Sequence, residues 1–65
     1  MLRFDGKRLR HALETSGRTE REVCKSARIS RLLWRSYVGG VLHPSVPTLL
    51  RLCDALGISP NDLVR

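Results

Sequence analysis

Apolar residues recur along this chain at helical spacing, and glycines, prolines and small polar residues punctuate them. Leu9, Ala12 and Leu13 share one face of a helix predicted from Gly6 to Ser16, opened by Asp5 as N-cap and ended by Gly17. Val23, Cys24 and Ala27 mark a second helix beginning after Thr19, whose hydroxyl caps it while Glu22 takes the capping-box position. Ser30 caps a third helix, Arg31 to Val38, which Gly39 and Gly40 end and which only Arg28 and Ile29 separate from the second. Ser45 as N-cap and Pro47 in the first turn open a fourth, burying Val46, Leu49, Leu52, Cys53 and Leu56 and stopped by Gly57. Ile58 is expected to pack back on the core, and Ser59-Pro60 to open a final helix through Leu63 and Val64. The pattern predicts an all-α domain of five short helices spanning residues 1–65, with a tight helix, turn, helix unit at about 19–38.

The third helix separates into two faces when its residues are placed about 100° apart. Trp34, Tyr37 and Val38 fall on one, which packs, and Arg31, Leu32, Arg35 and Ser36 on the other, which is free. Trp34 and Tyr37 are therefore assigned to the core. Two arginines, an aliphatic group and a hydroxyl are what a helix in the DNA major groove uses. Arginine pairs bidentately with guanine, an aliphatic group touches the thymine methyl, and serine donates or accepts.

Charge strengthens that reading. The chain carries a formal net charge of +6, a balance that suits a polyanionic partner. Residues 1–35 hold ten basic and four acidic side chains, whereas 36–65 hold only Arg51 and Arg65 against Asp54 and Asp62. Arg18, Arg21, Lys25 and Arg28 follow at spacings of three and four, a stripe opposite the Val23, Cys24 and Ala27 face and suited to phosphates beside the groove. The start of the second helix offers further N–H groups to the same phosphates.

Other chemistry is not indicated. Cys24 and Cys53 lie apart without CxxC spacing and are read as small core hydrophobes of a reduced, cytoplasmic protein. His11 and His43 are too few and too scattered for a zinc site, and no catalytic arrangement has a supporting motif, so no enzyme activity, metal, cofactor or small-molecule ligand is expected. No secretory signal or apolar run long enough to cross a bilayer is present in the sequence. A chain this short buries only roughly 60% of its unfolded surface, and no second, sensing domain is expected.

From Arg8 to Leu63 the sequence resembles the Cro and repressor helix-turn-helix family of phage and bacterial regulators, the lambda repressor-like or Xre type. The likeness rests on Leu9-Arg10, Gly17, Val23-Cys24 in place of a leucine-alanine pair, Ile29-Ser30, Gly40, Pro44-Ser45, Leu49, Leu52, Cys53, Leu56-Gly57 and Ser59-Pro60 with Leu63. It implies a compact five-helix, all-α DNA-binding domain whose third helix enters the major groove while the start of the second contacts phosphates. It further implies that Arg31, Leu32 and Ser36 read bases and that Ser30 and the residues around Thr19 and Glu20 touch phosphate.

Three departures stand out. Relatives often carry glutamine at Glu20, where an acid repels phosphate, so Arg21 or Thr19 is expected to take that contact. The loop after the third helix is Val41-Leu42-His43 rather than basic, leaving His43 to reach the backbone. Leu13 and Val38 stand where relatives often place a buried arginine–glutamate pair, and are inferred to replace it as an apolar unit.

The expected partner is thus a double-stranded DNA operator, bound by a Cro-like repressor. The alternative is a protein-binding module, such as the antitoxin of a toxin pair, motivated by the exposed apolar residues Leu32, Val41 and Leu42. One recognition helix reads a short half-site, so a homodimer, formed either in solution or only on DNA, is also considered, with Leu50, Val64 and the Val41-Leu42 loop as its surface.

Overall fold

The computed structural model describes residues 3–65, and its four α-helices follow the predicted order: α1 (Gly6–Ser16), α2 (Glu20–Ala27), α3 (Arg31–Val38) and α4 (Val46–Leu56). Their starts show why. The Asp5 carboxylate accepts from Lys7 N at 2.9 Å. The Thr19 hydroxyl accepts from Glu22 N at 3.1 Å while the Glu22 carboxylate accepts from Thr19 N at 2.9 Å, and the Ser30 hydroxyl accepts from Leu33 N at 3.0 Å. Each cap satisfies backbone donors that the first helical turn leaves unpaired.

The helices enclose one core. Leu9, Val23, Leu52 and Leu63 are fully enclosed, with Ala12, Cys24, Ala27, Trp34, Tyr37, Cys53, Ala55 and Leu56 around them. Leu13, Ile29, Leu33, Val38, Leu49 and Ile58 pack against its edge, half-buried rather than enclosed. The most extensive pairing is α2 with α4, and α1 lies against α3. Two cleft-lining residues, Leu13 and Val38, occupy the α1–α3 junction beside Trp34.

Four expectations need correction. The final helix is a four-residue 3-10 turn, η1 (Pro60–Leu63), and Val64 is extended at φ −124°, ψ 160°. The chain must straighten there to meet its own beginning. Phe4 and Val64 form an antiparallel bridge, with Arg3 N to Arg65 O and Arg65 N to Arg3 O both 2.9 Å. Val64 is therefore half-buried in the closure and does not offer a free surface for dimerisation. Val46, expected in the core, is 69% exposed. Thr48, Leu52 and Ala55 recur along the inward side of α4, and at about 100° per residue Val46 and Leu50 fall on its outward flank. Ser45 occupies the N-cap of α4 but makes no capping bond, because its hydroxyl donates to Thr48 Oγ1 at 3.1 Å.

Two contacts escaped the sequence pattern. Arg51 on α4 donates from Nε to Ala27 O at 2.9 Å and from Nη2 to Thr48 Oγ1 at 3.1 Å, tying α4 to the last turn of α2. A β-carbon added at Gly6 falls on the Tyr37 and Val38 carbonyl oxygens, 2.5 Å from the latter, so glycine is what lets α1 start against the end of α3.

Candidate nucleic-acid interface

Trp34 and Tyr37 anchor α3 to the core, and Phe4 meets the Tyr37 ring edge-on at 6.3 Å. That anchoring turns Arg31, Leu32 and Arg35 outward, Leu32 to 77% exposure. Ser36 sits at the margin of this face, half-buried. Its hydroxyl donates to Leu32 O at 3.1 Å, which commits the proton and leaves the oxygen as an acceptor.

The turn joining α2 to α3 consists of Arg28, Ile29 and Ser30. Arg28 ends α2 in the left-handed region at φ 59°, ψ 44°, and Ile29 N bonds back to Cys24 O at 3.0 Å. A non-glycine residue held there is strained by roughly 1–2 kcal/mol, offset by the return of the chain onto the core. Arg18, Arg21, Lys25 and Arg28 are all exposed.

The capping box employs Thr19 N and Glu22 N, leaving the N–H groups of Glu20 and Arg21 without an intrahelical partner. The Thr19 backbone N–H, and then its hydroxyl, hold the Glu22 carboxyl below its ordinary range. Ser30 accepts from Leu33 N, and its own O–H proton remains for an acceptor such as phosphate.

Glu20 departs most from the sequence reading. Its Oε1 atom lies 3.5 Å from Arg31 Nε and 3.4 Å from Arg35 Nε, so one carboxylate bridges the two arginines of α3. Exposed ion pairs of this kind contribute about 0–1 kcal/mol to stability; their consequence here is where the guanidinium groups point. The sequence signal was present in the acid's departure from the usual glutamine, but which cations it meets depends on the angle between α2 and α3.

His43 sits elsewhere. Its ring is tilted against Phe4 with centroids 5.9 Å apart, and it lines a cleft with Phe4, Gly39, Gly40 and Arg65 beyond the C-terminal end of α3. The other phosphate candidates lie along α2 and at the start of α3. Cys24 and Cys53 are buried free thiols, and burial pushes both above the ordinary thiol range. Among the described residues no group of three or more metal-ligating side chains converges, and no helix is long and apolar enough to cross a membrane.

A family model described as a helix-turn-helix domain matches residues 6–65. The chain belongs to the helix-turn-helix domain family. The fold is also similar to solved structures over most of the chain. The restriction-modification controller protein C.AhdI from Aeromonas hydrophila is similar at a TM-score of 0.82 and 26% sequence identity, covering 89% of this chain and 88% of that one. The clp gene regulator ClgR from C. glutamicum is similar at 0.82 and 31% identity, covering 89% of this chain and 75% of that one. The P22 c2 repressor protein, in complex with synthetic operator 9T, shares the fold at 0.83 and 23% identity, covering 94% and 92%. A comparison with curated protein sequences finds no match.

Proposed function

We propose that this helix-turn-helix protein is a sequence-specific regulator of transcription, a Cro-like repressor that binds a double-stranded DNA operator and reads the major groove with α3. The observation that carries the reading is the division of α3. Trp34 and Tyr37 are locked in the core, and the same eight-residue helix presents Arg31, Leu32 and Arg35 to solvent. Arg31 and Arg35 read guanine, Leu32 meets a thymine methyl, and the Ser36 oxygen accepts from an exocyclic amine. Arg18, Arg21, Lys25 and the Thr19 and Ser30 hydroxyls set the register on phosphates, with His43 a peripheral contact. The protein acts in the cytoplasm, where its thiols stay reduced.

Two copies reading half-sites about 34–36 Å apart suit an inverted-repeat operator. The exposed apolar residues Val41, Leu42, Val46 and Leu50, all C-terminal to α3, supply the contact between them. Sedimentation with and without DNA reads that state directly.

Selection of duplexes from a random pool, followed by titration of the winner and a scrambled duplex at several salt concentrations, tests the function. The expected result is an enriched inverted motif preferred by about 10³-fold or more, read less strictly by Arg31→Ala. Equal and steeply salt-dependent binding to both duplexes overturns the proposal, because the basic face is then an electrostatic surface alone.

A further inference from the structure

We infer that Glu20 is a positioning residue for base reading: it holds Arg31 and Arg35 by their Nε atoms so that their terminal amino groups meet guanines one or two base pairs apart. The inference rests on the proposed reading of DNA by α3.

Glu20 is well placed to orient rather than merely to neutralise. It is the first residue of α2, beside the Thr19–Glu22 capping box that fixes the backbone there, and its side chain is only 28% exposed. Arg31 and Arg35 are 58% and 65% exposed, so the carboxylate is the more enclosed partner and the guanidinium groups reach furthest into solvent. Contact through Nε leaves both terminal nitrogens of each arginine unused, and those two make the end-on fork that matches guanine O6 and N7. Holding that fork in place before DNA arrives reduces the ordering that binding requires.

Geometry also limits the target. Residues four apart on α3 are separated by about 6 Å along the helix axis, and base pairs rise about 3.4 Å. Two arginines drawn to one oxygen therefore reach guanines separated by one or two steps. Electrostatics gives the acid a second effect of opposite sign in the two kinds of complex. Beside phosphate it repels, weakening sequence-independent docking, while at the bases it organises the donors. Glu20 thus widens the gap between specific and non-specific binding.

The test compares wild type, Glu20→Ala and Glu20→Gln on three duplexes: the selected operator, a scrambled sequence, and the operator with its guanines replaced by an analogue lacking N7. In Glu20→Ala the operator-to-scrambled ratio is expected to fall about tenfold or more, with scrambled binding held or strengthened. Loss of N7 is expected to weaken wild type far more than Glu20→Ala. Glu20→Gln, which keeps the length and one acceptor oxygen, falls between. An unchanged ratio and N7 penalty overturns the inference, as do equal losses on both natural duplexes, the mark of a merely structural residue. Either result leaves DNA reading by α3 standing, whereas a wild-type protein with no sequence preference overturns both.

Discussion

Arginines do opposite jobs on the two sides of this molecule. On α4, Arg51 bonds to a backbone carbonyl and a buried threonine, both at ordinary hydrogen-bond distances, and so becomes part of the fold. On α3, Arg31 and Arg35 meet the Glu20 carboxylate at 3.5 and 3.4 Å and remain more than half exposed. The difference teaches that a basic side chain is available for a ligand when its partner engages it through Nε and leaves its terminal amino groups free, not when it completes the backbone of a neighbouring helix. The same contrast separates the closure around Gly6, Phe4 and Val64, where the backbone itself is in contact, from the open face of α3.

If the division is real, substitutions on one side change stability and those on the other change binding. The largest expected effect is at Gly6→Ala, where the added carbon meets fixed carbonyl oxygens at the end of α3. A loss of about 1–3 kcal/mol is expected, read as a lower midpoint in chemical denaturation, with base preference intact in the folded fraction. Arg35→Ala is expected to lose about 1–3 kcal/mol of discrimination at one guanine while the unfolding midpoint barely moves. A matching fall in stability breaks the comparison.

Arg51→Met keeps the aliphatic stem but orphans Ala27 O, costing about 1–2 kcal/mol of stability and leaving the binding ratio unchanged. Arg28→Gly is expected to do two things at once. Relief of the left-handed backbone raises stability by about 1 kcal/mol, and loss of one phosphate-side charge reduces the slope of log affinity against log salt by about 0.9. Stability measurements alone miss the second.

The smallest effect is expected at the Glu22 capping box. Hydrogen bonding from Thr19 lowers the Glu22 pKa in the folded state, so the unfolded chain binds the proton more readily. Its stabilisation is present above the ordinary carboxylate range and is lost as pH falls through the lower folded value. Glu22→Gln should flatten that acid limb of the stability profile while leaving neutral stability close to wild type, as a thermal melt series from neutral to acid pH checks.

Much of this was legible beforehand because it is local. Asp5, Thr19 and Ser30 cap the helices predicted for them, Gly17 and Gly57 stop theirs with positive φ, and α3 divides between buried Trp34 and Tyr37 and exposed Arg31, Leu32 and Arg35, with Ser36 and Val38 half-buried at the margins. These features depend on residues within four positions of one another, which a linear pattern records. Val46, by contrast, was misplaced because an apolar residue at the start of a helix belongs to the core only if the inward side of that helix runs through it. The inward side of α4 is set by its packing on α2.

The sequence by itself therefore determined the helices, their caps and stops, the charge asymmetry and the residues of α3 that face away from the core. Tertiary structure alone decided that Val64 leaves the last turn to pair with Phe4, that Arg51 caps α2, that Gly6 must lack a β-carbon and that Glu20 bridges Arg31 and Arg35. The physical reason is range. Caps and periodicity arise from hydrogen bonds and side-chain directions within one or two turns, whereas those four contacts join residues eleven or more positions apart, and only the angles at which the helices pack bring them together.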